Sequence, residues 1–147
     1  MSSITGIDRI FTRAKKLAKD AKDAQRPLKA SSVYMLGSIE KTFRAQGRPK
    51  KWTKLADSTV AARRKGRGKG SAQILIDRAR LKNSHSYRLS GNASEIGTNV
   101  IYAKRHHFGY PGGTGRGRSK TPARPWLMFQ PEDVRDIGEI FSRHYRS

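Results

Sequence analysis

No cysteine occurs among the 147 residues. That excludes a disulfide framework, a cysteine nucleophile and thiolate metal sites, and it fits folding in a reducing compartment. Acids are scarce: 11 Asp and Glu stand against 32 Lys and Arg, a formal net charge of +21. Four of those 11 acids, Glu132, Asp133, Asp136 and Glu139, fall in one C-terminal stretch that reads as a solvated helix face. Little is left for paired-carboxylate chemistry. Long apolar runs are also missing. No window approaches the ~18 apolar residues of a membrane span, and "MSSITGIDRIF" has no apolar run of signal-peptide length. The expectation is a soluble protein made and assembled in a cytoplasm, with no membrane partner.

The catalytic motifs are absent too. There is no G-x-S-x-G elbow and no H-E-x-x-H. The glycine-rich stretch "GRGRSKTP" is not a phosphate-binding loop. Ser119 stands where glycine should precede the lysine, and Pro122 follows where a helix should begin. The chain is expected to be no enzyme and to need no cofactor.

What is present is positive charge on a chain long enough for one domain with one modest core, residues 1–147. Such a field favours polyanionic partners, either nucleic acid or acidic protein surfaces, and says nothing about fold. The cations concentrate in two glycine-containing segments. Residues 47–70 carry Arg48, Lys50, Lys51, Lys54, Arg63, Arg64, Lys65, Arg67 and Lys69 against one acid, Asp57. Residues 110–124 carry Arg116, Arg118, Lys120 and Arg124 and no acid. The runs 66–70 and 110–124 read as flexible basic loops. "GRPKK" and "RGR" each echo part of the short basic arms that enter minor grooves. No zinc finger or RNA-recognition signature accompanies them.

Periodicity supplies the elements. Ile7, Ile10, Phe11, Ala14, Leu17, Ala18 and Ala21 predict an amphipathic helix over 6–24, with Thr5 and Asp8 as its capping box. Pro27 interrupts, and a second helix follows from about Leu28 to Gln46, with Leu36, Ile39 and Phe43 on one face. Gly47 and Pro49 supply its stop. Ser58 can cap a short helix through Lys65. "QILIDRARLKNS" reads as an apolar cluster followed by helix. "HSYRLSGNASEIGTN" reads as a hairpin turning at Gly91–Asn92. "VIYAKRHHFG" reads as a short helix or bend closed by Gly109, and "WLMF" as a buried strand or anchor. Pro131, Glu132 and Asp133 open a last helix whose apolar face is Val134, Ile137, Phe141 and Tyr145. The fold class is α+β: two N-terminal helices, a small antiparallel sheet and a C-terminal helix, with long basic loops.

His106 and His107 raise the question of a metal. Neighbouring residues diverge by ~100° on a helix and face opposite sides of a strand. They are badly placed to grip one ion, and zinc wants further ligands that the sequence does not space. One packs or caps and the other meets solvent.

Four segments in order carry a resemblance: "FRAQGRPKKWTKLADSTVAARRK", "ILIDRARLKNS", "EIGTNVIYAKRHHFG" and "TPARPWLMFQPEDVRDIGEIF". Together, over about Phe43 to Phe141, they resemble the phage virion morphogenesis family, whose members include tail-completion proteins of Mu-like and P2-like bacteriophages. Departures are local. Arg78–Ala79 stands where Thr–Gly is common, His107 where glutamine is common, and Trp126 replaces a usual phenylalanine. Met128 stands where glycine is common after Leu127. The resemblance attaches no catalytic role to the tyrosine or histidine of its third segment. It implies a structural virion protein at head–tail joining or tail completion, capping the tail or building the neck as a sixfold ring. Its partners would be other copies of itself, the tail tube or sheath, the connector or neck proteins, and packaged DNA. The alternative is an accessory protein whose basic arms bind DNA without sequence preference. The anchors expected to form or brace subunit contacts are Trp52, Leu55, Tyr102, Phe108, Pro125 and Trp126. The cations expected to meet a polyanion are Arg48, Lys50, Lys51, Arg63, Arg64, Lys65, Arg67, Lys69, Arg116, Arg118 and Lys120.

Overall fold

The computed structural model of the chain describes residues 23–67, 72–116 and 119–146, with positions 12, 15, 16 and 19. The helix expected over 6–24 lies mostly outside the described residues; Thr12, Lys15, Lys16 and Lys19 are helical. Its Thr5–Asp8 capping box lies wholly outside them.

Helix α1 spans Gln25–Arg44. It starts earlier than its apolar pattern suggests because Pro27 sits in its first turn, where a missing N–H costs nothing. It ends in a Schellman cap. The Gly47 N–H donates to the Thr42 carbonyl at 3.0 Å and the Gln46 N–H to the Phe43 carbonyl at 3.1 Å. Gln46 itself holds the left-handed position at φ 57°. Its side chain explains why glycine is not needed there. The amide nitrogen donates to Phe43 O at 2.7 Å and to Ile74 O at 3.3 Å, and the amide oxygen accepts from Ile74 N. Gly47 cannot carry a side chain, since a Cβ would lie 2.5 Å from the Lys50 oxygen.

The buried face of α1 includes Ser31, Ser32, Met35, Ser38, Ile39, Thr42 and Phe43. Its hydroxyls are small enough to let other elements come close. Ser32 meets Ser94 of the hairpin, and Ser38 donates to Asp133 of the last helix at 2.8 Å.

Helix α2 spans Asp57–Ala62, after Ala56 rather than after a Ser58 cap, and runs into a wide turn over Arg63–Arg67. The helix expected within 73–84 is not there. Leu75 and Ala79 sit at φ 59° and 55°, which no right-handed helix tolerates, and only a 3-10 turn forms at Lys82–Ser84. The tie of Ile74 to Gln46 fixes the backbone direction that the apolar spacing left open.

Strands β1 (His85–Ser90) and β2 (Ala93–Thr98) form the antiparallel hairpin, with Tyr87 opposite Ile96 and a two-residue turn at Gly91–Asn92. His85, Tyr87 and Leu89 are half-buried and alternate with exposed Ser86, Arg88 and Ser90. Helix α3 spans Ala103–Phe108 and helix α4 Pro131–Arg146. Asp133 caps α4 from inside, accepting from the Gln130 N–H at 2.8 Å. The segment 126–129 is an anchor and not a strand: Trp126 is buried while Met128 and Phe129 are exposed.

The class is α+β. The core joins Ile39, Phe43, Trp52, Ile74, Leu81, Val100, Ala103 and Trp126. Phe43 is fully buried, with Trp52 edge-on at 5.4 Å and Trp126 tilted at 5.8 Å. Each large aromatic ring buried this way contributes on the order of 2–3 kcal/mol of transfer free energy.

Candidate functional site

The segment 121–126 is threaded between the loop at 52–54 and helix α3, and side chains pin it on both sides. Trp52 Nε1 donates to the Pro125 carbonyl at 2.8 Å. The Arg124 guanidinium donates to the carbonyls of Thr53 and Lys54 at 3.0 and 3.1 Å. The Arg124 N–H reaches His106 O at 2.8 Å. The loop before it is closed at its base by a two-way backbone bridge between Tyr110 and Thr121. Arg105 braces that base, donating to Ser119 O at 2.6 Å and Thr121 Oγ1 at 3.0 Å while stacking 4.7 Å over the Tyr110 ring. Gly109 makes the close pass possible: at φ 78°, a Cβ there would meet the Ala123 nitrogen at 2.8 Å.

This threading leaves a cavity of about 730 Å³ between α2, the 75–81 turns, α3 and the 119–124 segment. Leu55, Leu75, Leu81, Tyr102 and Pro122 give it an apolar lining. Cations from three segments surround that lining: Lys54, Arg63, Arg78, Arg80, Lys120 and Arg124. The acid among the lining residues is Asp77, 3.7 Å from the Arg63 guanidinium. Arg124 is buried, and burial together with neighbouring Arg63 lowers its pKa from the usual arginine value.

The histidines have separate surroundings. His107 packs on Trp126, ring centres 4.8 Å apart. His106 lies against Tyr102 and lines the cavity. Its Nδ1 is sealed from solvent with no hydrogen-bond partner among the described residues. His85 closes the core: Trp126 Nε1 donates to its Nε2 at 2.7 Å, and its Nδ1 lies 3.2 Å from Lys82 O. An indole N–H can only donate, so His85 carries its proton on Nδ1. Burial lowers the pKa of all three, and for His106 the charges of Arg124, Arg105 and Arg63 add to it. Among the described residues no group of three or more His, Asp or Glu is placed to hold a metal ion. Nor, among them, is any helix long and apolar enough to cross a membrane.

The expected anchors divide by exposure. Trp52 and Trp126 are buried and Leu55 and Pro125 half-buried, so these four brace the loops from within. Tyr102 and Phe108 are exposed. Ile101, which sequence reasoning passed over, is 94% exposed and lies in the turn just before α3, whose last residue is Phe108. Phe129 and Val134 are also open to solvent.

The expected polyanion contacts divide as well. Arg48 is engaged inside the subunit, donating to Ser38 Oγ at 2.6 Å, Thr42 Oγ1 at 3.1 Å and Glu132 at 3.1 Å. Arg63 donates to Gln73 O at 2.9 Å, and Lys51 reaches Ala45 O. Lys50, Arg64, Lys65, Arg116 and Lys120 are exposed. Lys69 and Arg118 lie outside the described residues, and of Arg67 only the backbone is described. Arg78, Arg80 and Arg124 were not singled out by the sequence. Only the two prolines around Arg124 hinted at a fixed position.

Comparison with known proteins now bears on this arrangement. Residues 4–146 match the phage virion morphogenesis family. The chain is 29% identical over 144 residues to the Mu-like prophage FluMu G protein 2 of Haemophilus influenzae, covering 97% of this chain and 94% of that protein. No solved structure matches it.

Proposed function

Because this chain belongs to the phage virion morphogenesis family, we propose that it is a structural ring subunit acting at tail completion or head–tail joining. Family membership itself carries the coarser statement, a role in building the virion. The finer reading rests on Ile101 and Phe108. Two large apolar side chains open to water at the two ends of one short helical segment are costly in so polar a chain unless a partner covers them. A ring needs such a patch to meet a different patch on the next subunit, a heterologous contact that closes by rotation. Sixfold closure would match the tail. The tail tube or sheath lies on one side of such a ring and the connector or neck on the other.

The test is a particle lacking this protein. Heads and tails are expected to accumulate unjoined, and purified protein is expected to restore joining as a ring visible at the tail end by electron microscopy. The Ile101→Ala/Phe108→Ala variant should fold and fail to restore it. Normal joined particles in the protein's absence would overturn the reading.

A second reading stays in view for one reason. Lys50, Arg64, Lys65, Arg116 and Lys120 make no ion pair among the described residues. Such free cations suit phosphate neutralisation, and packaged DNA is the polyanion of a virion.

A further inference from the structure

We infer that the cavity beside α3 receives a short extended segment of a different protein, one that sets a carboxylate next to apolar side chains. This goes beyond the ring reading, which concerns exposed Ile101 and Phe108 and not this cavity.

Charge comes first. Lys54, Arg78, Arg80 and Lys120 are exposed around the cavity with no ion pair among the described residues. Arg124 is buried and bonds to two neutral carbonyls, with no carboxylate within ion-pair distance among the described residues. A buried guanidinium without a counter-charge is costly, and a carboxylate that enters recovers that cost through charge-assisted hydrogen bonds. Asp77, the acid of the lining, is already beside Arg63. His106 adds a second unmet demand, a buried ring nitrogen without a partner among the described residues.

Shape and lining then select the ligand class. A volume of about 730 Å³ sits within the roughly 300–1,000 Å³ range that encloses a small ligand. A nucleic-acid duplex is a convex rod, whose phosphates can reach the mouth of such a cavity and not its interior. Phosphate also gains nothing from Leu55, Leu75, Leu81, Tyr102 and Pro122. A peptide that alternates acidic and apolar side chains satisfies both the charge and the lining. A second copy of this chain is a poor donor. At a net charge of +21 it repels the cationic mouth of this cavity, and it has few acids to offer. The partner is therefore a foreign, acidic chain.

The experiment measures binding of a fluorescein-labelled octapeptide alternating glutamate and leucine to the full-length protein. Its glutamine counterpart, inorganic phosphate and a short duplex DNA serve as comparison ligands, at about 150 mM salt, where exposed charges are screened beyond ~8 Å. Two triple variants remove equal charge: Lys54→Gln/Arg78→Gln/Arg80→Gln at the cavity and Arg26→Gln/Lys29→Gln/Lys50→Gln away from it. Circular dichroism checks that both fold. The cavity variant is expected to weaken peptide binding by about tenfold or more and the distant one by less than about twofold, since only the first loses contacts in a partly dry site. The glutamine peptide should bind poorly, phosphate should not displace the glutamate peptide, and the His106 ring signals should shift on binding. Equal losses in the two variants, displacement by phosphate or DNA, or no peptide binding at all would each overturn the inference, and none of these outcomes touches the ring reading.

Discussion

His85 shows how one side chain couples core packing to solution pH. Its Nε2 accepts from Trp126 and its Nδ1 donates to Lys82 O. Protonation would set two donors against each other in a half-buried position. The folded-state pKa is accordingly lowered from the usual histidine value, by burial. The unfolded chain then binds more protons than the folded one once pH drops below the ordinary value of ~6.5, so stability is complete above that pH and falls as pH falls through it. His106 and His107 are lowered in the same direction and add to the slope. Denaturant midpoints should be level from about pH 7 to 8 and decline from about 6.5 to 5, as the linkage relation requires. His85→Gln should be less stable at pH 7 and show a shallower decline. A wild-type midpoint that holds steady down to pH 5 would show that none of the three is held neutral by folding. This role was not legible in the sequence, because His85 stands at the edge of an alternating strand pattern while the conspicuous pair lies elsewhere. What could be argued from sequence, that adjacent His106 and His107 diverge, rests on helix geometry alone and agrees with their separate surroundings.

At the level of elements, the legible ones are those whose signal is local. The hairpin was readable to its turn, because Tyr87 and Leu89 alternate and Gly91–Asn92 punctuates. The last helix was readable from Pro131 and its first-turn acids. The segment 73–84 was not. Its apolar residues can be spaced on a helix, and what prevents one is a contact 28 residues away, the Gln46 side chain on the Ile74 backbone. The buried serines of α1 were invisible for a related reason: Ser32 and Ser38 look polar until Ser94 and Asp133 arrive. The 73–84 turns also explain a departure noted in the sequence. Ala79, where the family resemblance leads one to expect glycine, sits at φ 55°, so the turn has a left-handed form and alanine bears the strain. That strain is of order 1–2 kcal/mol for a residue with a Cβ, offset by the ~0.4–1 kcal/mol that glycine loses to unfolded-chain freedom. Ala79→Gly should therefore stabilise the protein by about 0.5–1 kcal/mol, read as a higher denaturant midpoint at unchanged slope. A lower midpoint would mean that the Ala79 methyl contributes packing along the cavity worth more than the strain.

At the scale of the whole molecule, a charge of +21 acts against the assembly proposed for it. The described glutamates are matched to cations of the same subunit, and copies that carry this net charge repel one another on approach. Salt therefore separates the two leading readings by the sign of its effect. DNA binding through phosphates weakens with a log–log slope of about −0.9 per phosphate contacted. Ring contacts of the proposed kind, through Ile101 and Phe108, would be apolar and unscreened, while the repulsion between subunits is screened, so self-association should hold or strengthen as salt rises. Phe108→Ala is the informative variant. Trp52→Ala is not, because Trp52 is buried in the core and its loss would cost about 3–5 kcal/mol of folding stability. We expect sedimentation across roughly 50 to 500 mM salt to show a persisting oligomer while duplex binding collapses. Phe108→Ala should weaken the oligomer by about 1–2 kcal/mol and leave the DNA slope unchanged. An oligomer that dissolves with rising salt in step with loss of DNA would make the subunit contact electrostatic. Ile101 and Phe108 would then need another partner, and phosphate neutralisation would become the better account of what this charge is for.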